Sequence, residues 1–340
     1  MRPLSQSGLL CVTNNDDWYL KLTHQRGRDM RTKAQTTRSA WGVVIATAAL
    51  TLGACDAANE AIDAIDDIGN DADVYYYVSL GTSLSVGVQP DSNGILLPTG
   101  DGYADELFDR IRPAFEAAGA QPRELRLIKL GCPGETLDDM TNGGSCLYVA
   151  GSQLEAAVDF LDDNADKVHL VTIDIGGNDF RNADCIDTTV DVDCTNTVSL
   201  QIATDLAVVL TALNTAADPG TTIVGMNYYN PYLSSWLDDA AGQVLAVEAA
   251  QAVSIVTDVL GTTYDTAGIP VADVAAAFQS DDFTTIVPYP LPSPNDQLPV
   301  NVANICDFTY MCDPDPVGPD IHANRAGYSL IADTIAAMLP

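Results

Sequence analysis

Apolar runs alternate with helix-spaced apolar residues over most of the chain beyond residue 74. Four runs rich in β-branched, aromatic and leucine residues are typical of buried strands: Tyr75–Leu80, Leu125–Leu130, Val168–Ile175 and Thr221–Met226. Helical spacing predicts helices at Tyr103–Ala118, Gln153–Leu161, Ser199–Ala216, Ala240–Leu260 and Ser329–Met338. Because strands and helices alternate, we expect a parallel central sheet with helices on both faces, a three-layer α/β/α fold. The segment Phe283–Cys312 has little periodicity and is predicted to be irregular chain over the sheet edge or a binding site.

Three of the predicted strands end in turns that carry a reactive or hydrogen-bonding group. Ser83 follows the first strand, Gly134 the second and Asn178 the third. Ligands of parallel α/β sheets bind at the carboxyl ends of the strands, so these residues are expected to meet. For Ser83 we expect a strand-to-helix turn that exposes the hydroxyl as a nucleophile, although the segment taken alone also fits an ordinary turn.

The N-terminal region has the composition of a targeting segment. A basic stretch precedes the apolar stretch Trp41–Leu52, whose twelve residues are too few to span a bilayer as a helix, which takes about 20. Cys55 ends the sequence Leu-Gly-Ala-Cys, which is similar to a bacterial lipobox. Residues 30–54 are therefore predicted to be a lipoprotein signal peptide, cut before an acylated Cys55; plain secretory cleavage nearby is the alternative.

The segments on either side of this signal carry no fold pattern. Residues 1–29 are polar and unpatterned, so Met30 is expected to be the true start and residues 1–29 to be non-structural. Residues 55–73 are acidic and are predicted to form a tether, or a short helix, ahead of a domain at 74–340. The predicted location is an exported lipoprotein, held to a membrane through Cys55 and facing the periplasm or the cell exterior.

The charge balance is strongly acidic. The chain has 15 Lys and Arg against 47 Asp and Glu, a net charge of −32. Beyond Cys55 there remain eight basic and 44 acidic residues, a net charge of −36. Such a surface repels nucleic acid, so no nucleic-acid partner is expected. Acidic runs such as Asp313-Pro314-Asp315 are compatible with calcium binding, but a solvated acidic face is favoured, and neither a metal nor a cofactor is predicted. A monomer is expected.

Six cysteines beyond Cys55 form three close pairs along the chain. The pairs are Cys132 with Cys146, Cys185 with Cys194, and Cys306 with Cys312. An even number at short spacing in an exported chain favours local disulfides over metal ligation, although six cysteines allow fifteen pairings. Each predicted bridge lies beside one of the turns that carry candidate groups, so we interpret the bridges as positioning devices.

Histidine is scarce, which narrows the choice of a base for Ser83. The chain contains only His24, His169 and His322. His24 lies in the region expected to be removed, and His169 lies within a predicted strand. His322 falls in a predicted loop just before the last helix, so a serine hydrolase with a histidine base would use His322.

Four segments, in this order, resemble the GDSL, or SGNH, hydrolase family of esterases and lipases. They are Gly81-Thr82-Ser83-Leu84-Ser85, Gly131-Cys132-Pro133-Gly134, Gly176-Gly177-Asn178-Asp179 and Asp320-Ile321-His322. The likeness extends from about residue 75 to the C-terminus. It implies the α/β/α fold, Ser83 as nucleophile and His322 as general base. It also implies an oxyanion hole formed by the N–H groups of Ser83 and Gly134 and the side chain of Asn178.

The sequence departs from the family pattern at two positions. Thr82 stands where the family usually has an aspartate, which removes a carboxylate beside the nucleophile. The family's third triad residue usually lies three positions before the histidine, where this chain has Pro319, and Asp320 lies two before. Either Asp320 or a backbone carbonyl near Pro319 is therefore expected to orient His322.

The function implied by the resemblance is hydrolysis of carboxylic esters through an acyl-enzyme on Ser83. The expected partner is an ester substrate, either a lipid or a small ester. A carbohydrate O-deacetylase with the same site is one alternative. The other is an inactive surface lipoprotein that binds lipid or glycan, with Thr82 and Pro319 as signs of a decayed site. Tyr228, Tyr229, Tyr232 and Trp236 follow the fourth strand and are compatible either with an acyl-binding cleft or with packing of a long loop.

Overall fold

The computed structural model describes residues 8–10, 21–23, 73–119, 121–290 and 297–339. It divides into two compact units, Met1–Ala72 and Asp73–Pro340. In the first unit, strands β1 (Gly8–Leu10) and β2 (Lys21–Thr23) pair antiparallel. The predicted signal peptide, the start at Met30, Cys55 and the tether up to residue 72 lie outside the described residues. Asp73, assigned to the tether from the sequence, is the first residue of a strand.

The second unit contains the remaining elements. Its strands are β3 (Asp73–Gly81), β4 (Val88–Pro90), β5 (Leu96–Pro98), β6 (Arg123–Lys129), β7 (Val168–Asp174), β8 (Thr222–Met226), β9 (Val271–Ala272), β10 (Ile286–Pro288), β11 (Gln297–Pro299), β12 (Thr309–Tyr310) and β13 (Asp320–Ala323). Its helices are α1 (Tyr103–Ala117), α2 (Leu137–Asn142), α3 (Gln153–Asp163), α4 (Gly177–Asn182), α5 (Val192–Ala216), α6 (Ala240–Thr266), α7 (Val274–Ala277), α8 (Val300–Phe308), α9 (Arg325–Ala336) and a 3₁₀ helix at Pro231–Leu237.

A five-stranded sheet, in which every neighbouring pair is parallel, forms the centre of this unit. Its order is β6-β3-β7-β8-β9. Strands β4 and β5, β10 and β11, and β12 and β13 form separate antiparallel pairs. The parallel sheet with flanking helices confirms the predicted fold class. The two-residue strand β9 was not predicted, because so short a strand carries no alternation pattern.

Helices cover both faces of the sheet. Alternating residues of one strand show this, because they belong to two different hydrophobic cores. Val171 and Ile173 of β7 belong to a core that includes residues of α3, α5 and α6. Leu170, one position earlier, belongs to a second core with residues of α1 and α9. Side chains that alternate along a strand point to opposite faces, so strands buried on both sides need continuous apolar runs. Helices α5 and α6 are long and apolar enough for a membrane span by length and composition alone, and their inner faces belong to the first core.

Several helices differ from the sequence prediction, and α8 and α5 illustrate two of the reasons. Helix α8 lies inside the segment 283–312 that was predicted to be irregular, and its residues Val302 and Ile305 are fully buried. Helix α5 begins at Val192, ahead of the predicted Ser199, because the Asp191 side chain caps it by accepting a hydrogen bond from the Cys194 N–H at 2.9 Å.

The strand order places a crevice between the carboxyl ends of β3 and β7. The chain passes from β3 to β6 on one side and then to β7 on the other, so the direction of winding reverses between β3 and β7. At such a reversal the connections leave the sheet in opposite directions and open a binding crevice. Ser83 follows β3 and Asn178 follows β7, so both lie at this crevice.

Candidate active site

Ser83 lies in a turn directly after β3. Gly81, the last residue of the strand, has a φ of 125° that favours glycine, and a Cβ atom there would collide with Asp174. Residues 82–87 form a turn that leads into β4, and the Val88 N–H donates to the Ser83 carbonyl at 2.9 Å. The expected strand-to-helix turn was therefore wrong, because the next helix after Ser83 begins only at Tyr103. Ser83 is partly exposed, and within the described residues neither its N–H nor its Oγ has a hydrogen-bond partner.

A buried carboxylate holds this turn from the neighbouring strand. Asp174 ends β7 and accepts hydrogen bonds from the Thr82 hydroxyl at 2.5 Å and the Thr82 N–H at 3.2 Å. Its other oxygen accepts from the Tyr103 hydroxyl at 2.9 Å. Asp174 is fully buried, and burial raises its pKa to about 7. Position 82 has no carboxylate, but the Asp174 carboxylate from β7 lies beside it and takes its place.

We expect Asp174→Asn to flatten the pH dependence of stability. An unfolded aspartate titrates near 3.9, so the raised native pKa means that the folded chain binds this proton more tightly. The stabilisation is then full below about pH 4 and is lost as pH rises toward 7. Across that window the wild-type unfolding free energy should fall by up to about 4 kcal/mol more than that of the variant.

Urea unfolding between pH 4 and 8 measures this difference. The exposed Asp187→Asn provides a control for loss of one carboxylate. Parallel pH profiles for wild type and Asp174→Asn would contradict the expectation.

Asn178 is presented by helix α4 at the end of β7. Gly176 caps the helix with a φ of 103°, and the ring of Tyr228 packs so closely on Gly177 that a larger residue would meet it. The Asn178 Nδ2 donates to the Glu135 carbonyl at 2.9 Å. This bond fixes the orientation of the amide and leaves its second N–H available for a ligand.

Gly134 lies on the loop after β6 and is exposed. Its φ is 81°, and within the described residues its N–H has no acceptor. The loop is tied to the Ser83 turn because the Cys132 N–H donates to the Gly81 carbonyl at 3.0 Å. It is also tied to Asn178 through the neighbouring Glu135. The residues lining the cleft around Ser83 do not include Gly134, so the structure brings it beside the site without placing it in the cleft.

His322 lies in strand β13 rather than in the loop expected from the sequence. Its Nδ1 is 2.7 Å from the Asp320 Oδ1, and its backbone N–H donates to the same oxygen at 3.0 Å. Residues two apart on a strand share a face, so in extended chain the spacing of two brings the carboxylate to the ring. Burial alone would raise the pKa of Asp320, but the hydrogen bonds and charge of His322 outweigh it and lower the pKa.

Two further carboxyl groups, buried Glu135 and partly buried Asp179, flank this region and were given no role from the sequence. Glu135 accepts a hydrogen bond from the Gln153 amide at 3.0 Å, and burial raises its pKa to about 7. Asp179 accepts from the Leu137 N–H, and burial raises its pKa to about 6. Gln153 also holds both backbone groups of Gly81. Only one feature of the sequence could have indicated a role for Asp174: it is a carboxyl residue at the end of an apolar strand.

Three disulfides join the predicted cysteine pairs. Cys132 bonds to Cys146, Cys185 to Cys194, and Cys306 to Cys312. Since disulfides persist in oxidising compartments, they indicate an extracellular or periplasmic protein. The first bridge closes the loop that carries Gly134, the second follows α4, and the third precedes the strand of His322.

One cleft contains Ser83, Asn178 and His322. Its volume is about 90 Å³, and most of its wall is apolar. The aromatic part comes from Phe180, Tyr228, Tyr229 and Tyr232, and the aliphatic part includes Leu84, Val253 and Val256. Trp236 is not part of this wall and packs instead against Phe283, with ring centroids 5.5 Å apart. In one apolar cleft, a hydroxyl can attack an acyl carbon, an imidazole held by a carboxylate can take the hydroxyl proton, and a free amide N–H can donate to the developing oxyanion.

Comparison with known proteins gives a family match and several similar solved structures. The model of the family described as GDSL-like Lipase/Acylhydrolase matches residues 77–335. The extracellular lipase from Streptomyces rimosus is 18% identical with a TM-score of 0.47, over 77% of this chain and 99% of that one. Phospholipase A1 from Streptomyces albidoflavus is 18% identical with a TM-score of 0.45, over 77% and 99% of the two chains. The lipase Lip_vut3 from a goat rumen metagenome is 15% identical with a TM-score of 0.46, over 77% and 96%. No curated protein matches the chain.

Proposed function

The chain belongs to the family of GDSL-like lipases and acylhydrolases and is an ester hydrolase; from that premise we propose that it is an exported serine esterase or lipase that forms an acyl-enzyme on Ser83. The observation that carries this proposal is the single cleft lined by Ser83, Asn178 and His322, with Asp320 bonded to His322. Purified protein is expected to hydrolyse p-nitrophenyl butyrate with saturation kinetics. Failure to hydrolyse any soluble short-chain ester would overturn the proposal.

His322 is proposed to act as the general base and then as the general acid. In this proposal Asp320, 2.7 Å from Nδ1, accepts the Nδ1–H, so that Nε2 is the unprotonated nitrogen that acts on Ser83. Nε2 takes the Ser83 proton as the hydroxyl attacks the ester carbonyl, and it returns that proton to the leaving alcohol. Water then enters, loses a proton to the same nitrogen and releases the acid from Ser83.

The negative charge on the carbonyl oxygen is proposed to be held by three donors. These are the N–H groups of Ser83 and Gly134, which have no other acceptor within the described residues, and the second amide N–H of Asn178. Donors fixed before the reaction stabilise the developing charge without reorganisation. The bond from Asn178 to the Glu135 carbonyl supplies that fixation for the amide.

We expect Asn178→Ala to lower turnover of p-nitrophenyl butyrate by roughly 10²–10³, the usual loss for one oxyanion donor. The loss should appear in kcat with little change in KM, because the donor acts on the transition state. Asn182→Ala, at the exposed end of the same helix, is the matched control and should keep full turnover. Equal kcat in the two variants would remove Asn178 from the proposed oxyanion hole.

The cleft favours a short acyl chain. An apolar cavity of about 150 Å³ holds a benzene-sized ligand, so a cavity of about 90 Å³ suits a chain of only a few carbons. Its apolar wall favours an ester whose acyl group has an alkyl chain. The carbohydrate O-deacetylase alternative is less favoured, because an acetyl group is too short to contact most of that wall. Acetate release from acetylated glycans, without hydrolysis of butyrate esters, would favour the deacetylase instead.

The mature protein is proposed to be tethered to a membrane by a lipid on Cys55. The lipobox-like sequence before Cys55 and the acidic residues after it support this arrangement. The anchor would hold the catalytic unit at a membrane surface facing the periplasm or the exterior. Intact-mass measurement of the native protein tests it, since an unmodified N-terminus would overturn the lipid anchor.

A further inference from the structure

Arg181 lies in the cleft with the proposed catalytic residues. It belongs to α4 and follows Asn178 by three positions. Residues three apart lie on the same face of a helix, so the face that presents the Asn178 amide also presents the guanidinium. Both side chains line the same cleft as Ser83 and His322.

Arg181 differs from the other cations of the catalytic unit. All eight Lys and Arg beyond Cys55 lie within the described residues. Six of them form ion pairs with carboxylates: Arg110, Arg112, Arg126, Lys129, Lys167 and Arg325. A seventh, Arg123, donates to the Phe115 carbonyl at 2.6 Å and stacks on its ring. In the part of the chain that the structure describes, only the Arg181 guanidinium has no such partner.

An unpaired guanidinium is unexpected in a chain with so many carboxylates. The net charge is −32, and seven other cations have found partners within the fold. Arg181 lies near enough to Asp320 to help lower the pKa of that carboxyl, although burial, which raises it, and His322, which lowers it, have larger effects. The two residues nevertheless form no ion pair. The planar guanidinium, with its fork of N–H donors, binds carboxylate and phosphate oxygens in a bidentate manner.

We propose that Arg181 binds an anionic group, a carboxylate or a phosphate, carried by the ester substrate. The proposal rests on the proposed function and adds the class of ester: one with an apolar acyl chain and an oxyanion a few atoms away. The acyl chain lies against Tyr228 and Val256, and the anion reaches the exposed guanidinium at the rim. The surrounding acidic surface repels anions, but salt screens it over about 8–10 Å, whereas direct contact with Arg181 is screened much less.

The experiment compares charged and neutral esters of the same shape. The first pair is 3-carboxyphenyl butyrate and 3-carbamoylphenyl butyrate, followed by phenol release. The second is dihexanoylphosphatidic acid and dihexanoylglycerol, followed by release of hexanoic acid, which separates a lipid phosphate from a small carboxylate. Wild type, Arg181→Gln, Arg181→Lys and the control Arg112→Gln are assayed on all four. Arg112 is exposed, is paired with Asp109 and lies outside the cleft.

We expect Arg181→Gln to lower kcat/KM about tenfold for at least one anionic ester and less than about twofold for its neutral partner. Arg181→Lys should recover part of the loss, and Arg112→Gln should change neither value. The anionic ester that is affected identifies the source of the anion. An equal loss on charged and neutral esters would overturn the proposal in favour of an effect on Asp320 and His322. No loss on any ester would overturn it as well. If wild type hydrolyses p-nitrophenyl butyrate but neither anionic ester, this proposal is overturned and the proposed function stands; if it hydrolyses no ester at all, the proposed function fails and this proposal with it.

Discussion

Ser83→Ala is expected to abolish ester hydrolysis, with a loss in kcat of roughly 10⁶, as for a serine nucleophile that acts with a histidine. The variant removes only the Oγ atom, which has no hydrogen-bond partner within the described residues. The fold should therefore keep its stability while turnover and covalent labelling by a fluorophosphonate disappear. Initial rates on p-nitrophenyl butyrate and intact mass after labelling measure the two effects.

Ser85→Ala is the matched control for this loss. Ser85 lies two residues further on, is fully buried and donates its hydroxyl to the Thr82 carbonyl at 2.7 Å. Its removal should cost some stability of the turn and leave labelling of Ser83 intact. Labelling that persists in Ser83→Ala would assign the nucleophile elsewhere, and a stable wild type that never labels would favour a binding protein over an enzyme.

The second large effect is expected at the pair His322 and Asp320. His322→Ala should cost roughly 10⁶ in kcat, similar to the loss of the nucleophile, because the two groups act as a unit. Asp320→Asn should cost roughly 10⁴, because an amide at this position can hold the imidazole in the wrong tautomer. Since the pKa of Asp320 is lowered, it stays ionised over the neutral and mildly acidic range in which esterase assays are run.

The Asp320 variant decides between two ways of orienting the base. The 2.7 Å contact between Asp320 Oδ1 and His322 Nδ1 supports the side chain over a backbone carbonyl near Pro319. Asp313→Asn, an exposed residue in the preceding loop, controls for loss of a nearby negative charge and should retain full turnover. If Asp320→Asn retained turnover while His322→Ala lost it, a backbone carbonyl would be the better assignment.

The fold could be predicted because the inner strands β7 and β8 are buried on both faces and are marked by nearly continuous apolar runs. The edge strand β6 is only partly buried and its apolar residues are interrupted by Arg126 and Lys129. All of β3, β6, β7 and β8 begin and end within two residues of the prediction. Helix α8 could not be predicted in this way. Its nine residues follow a proline-rich stretch, and their burial depends on packing within the folded unit rather than on a local pattern.

The site was only partly predictable, because several of its contacts join distant parts of the chain. Ser83, Asn178 and His322 each follow or precede a recognisable element, and they line one cleft. The contact between Thr82 and Asp174 spans 92 residues, and that between Gly81 and Gln153 spans 72. Nothing local marks either partner. The spacing of Asp320 and His322 could be seen in the sequence. Whether it brings the carboxylate to the imidazole depends on whether the segment is extended, which the sequence did not indicate.

The hydrogen bonds between Thr82 and Asp174 restrict the order in which these two residues can be substituted during evolution. An aspartate introduced at position 82 alone would face the buried Asp174 carboxylate across one hydrogen bond, and two such charges repel strongly in an apolar interior. Removal of Asp174 alone would leave the buried Thr82 N–H without its acceptor. Each single step is therefore costly, while the double exchange keeps one carboxylate in the same space. The two positions are epistatic, so homologues are expected to carry them in matched combinations.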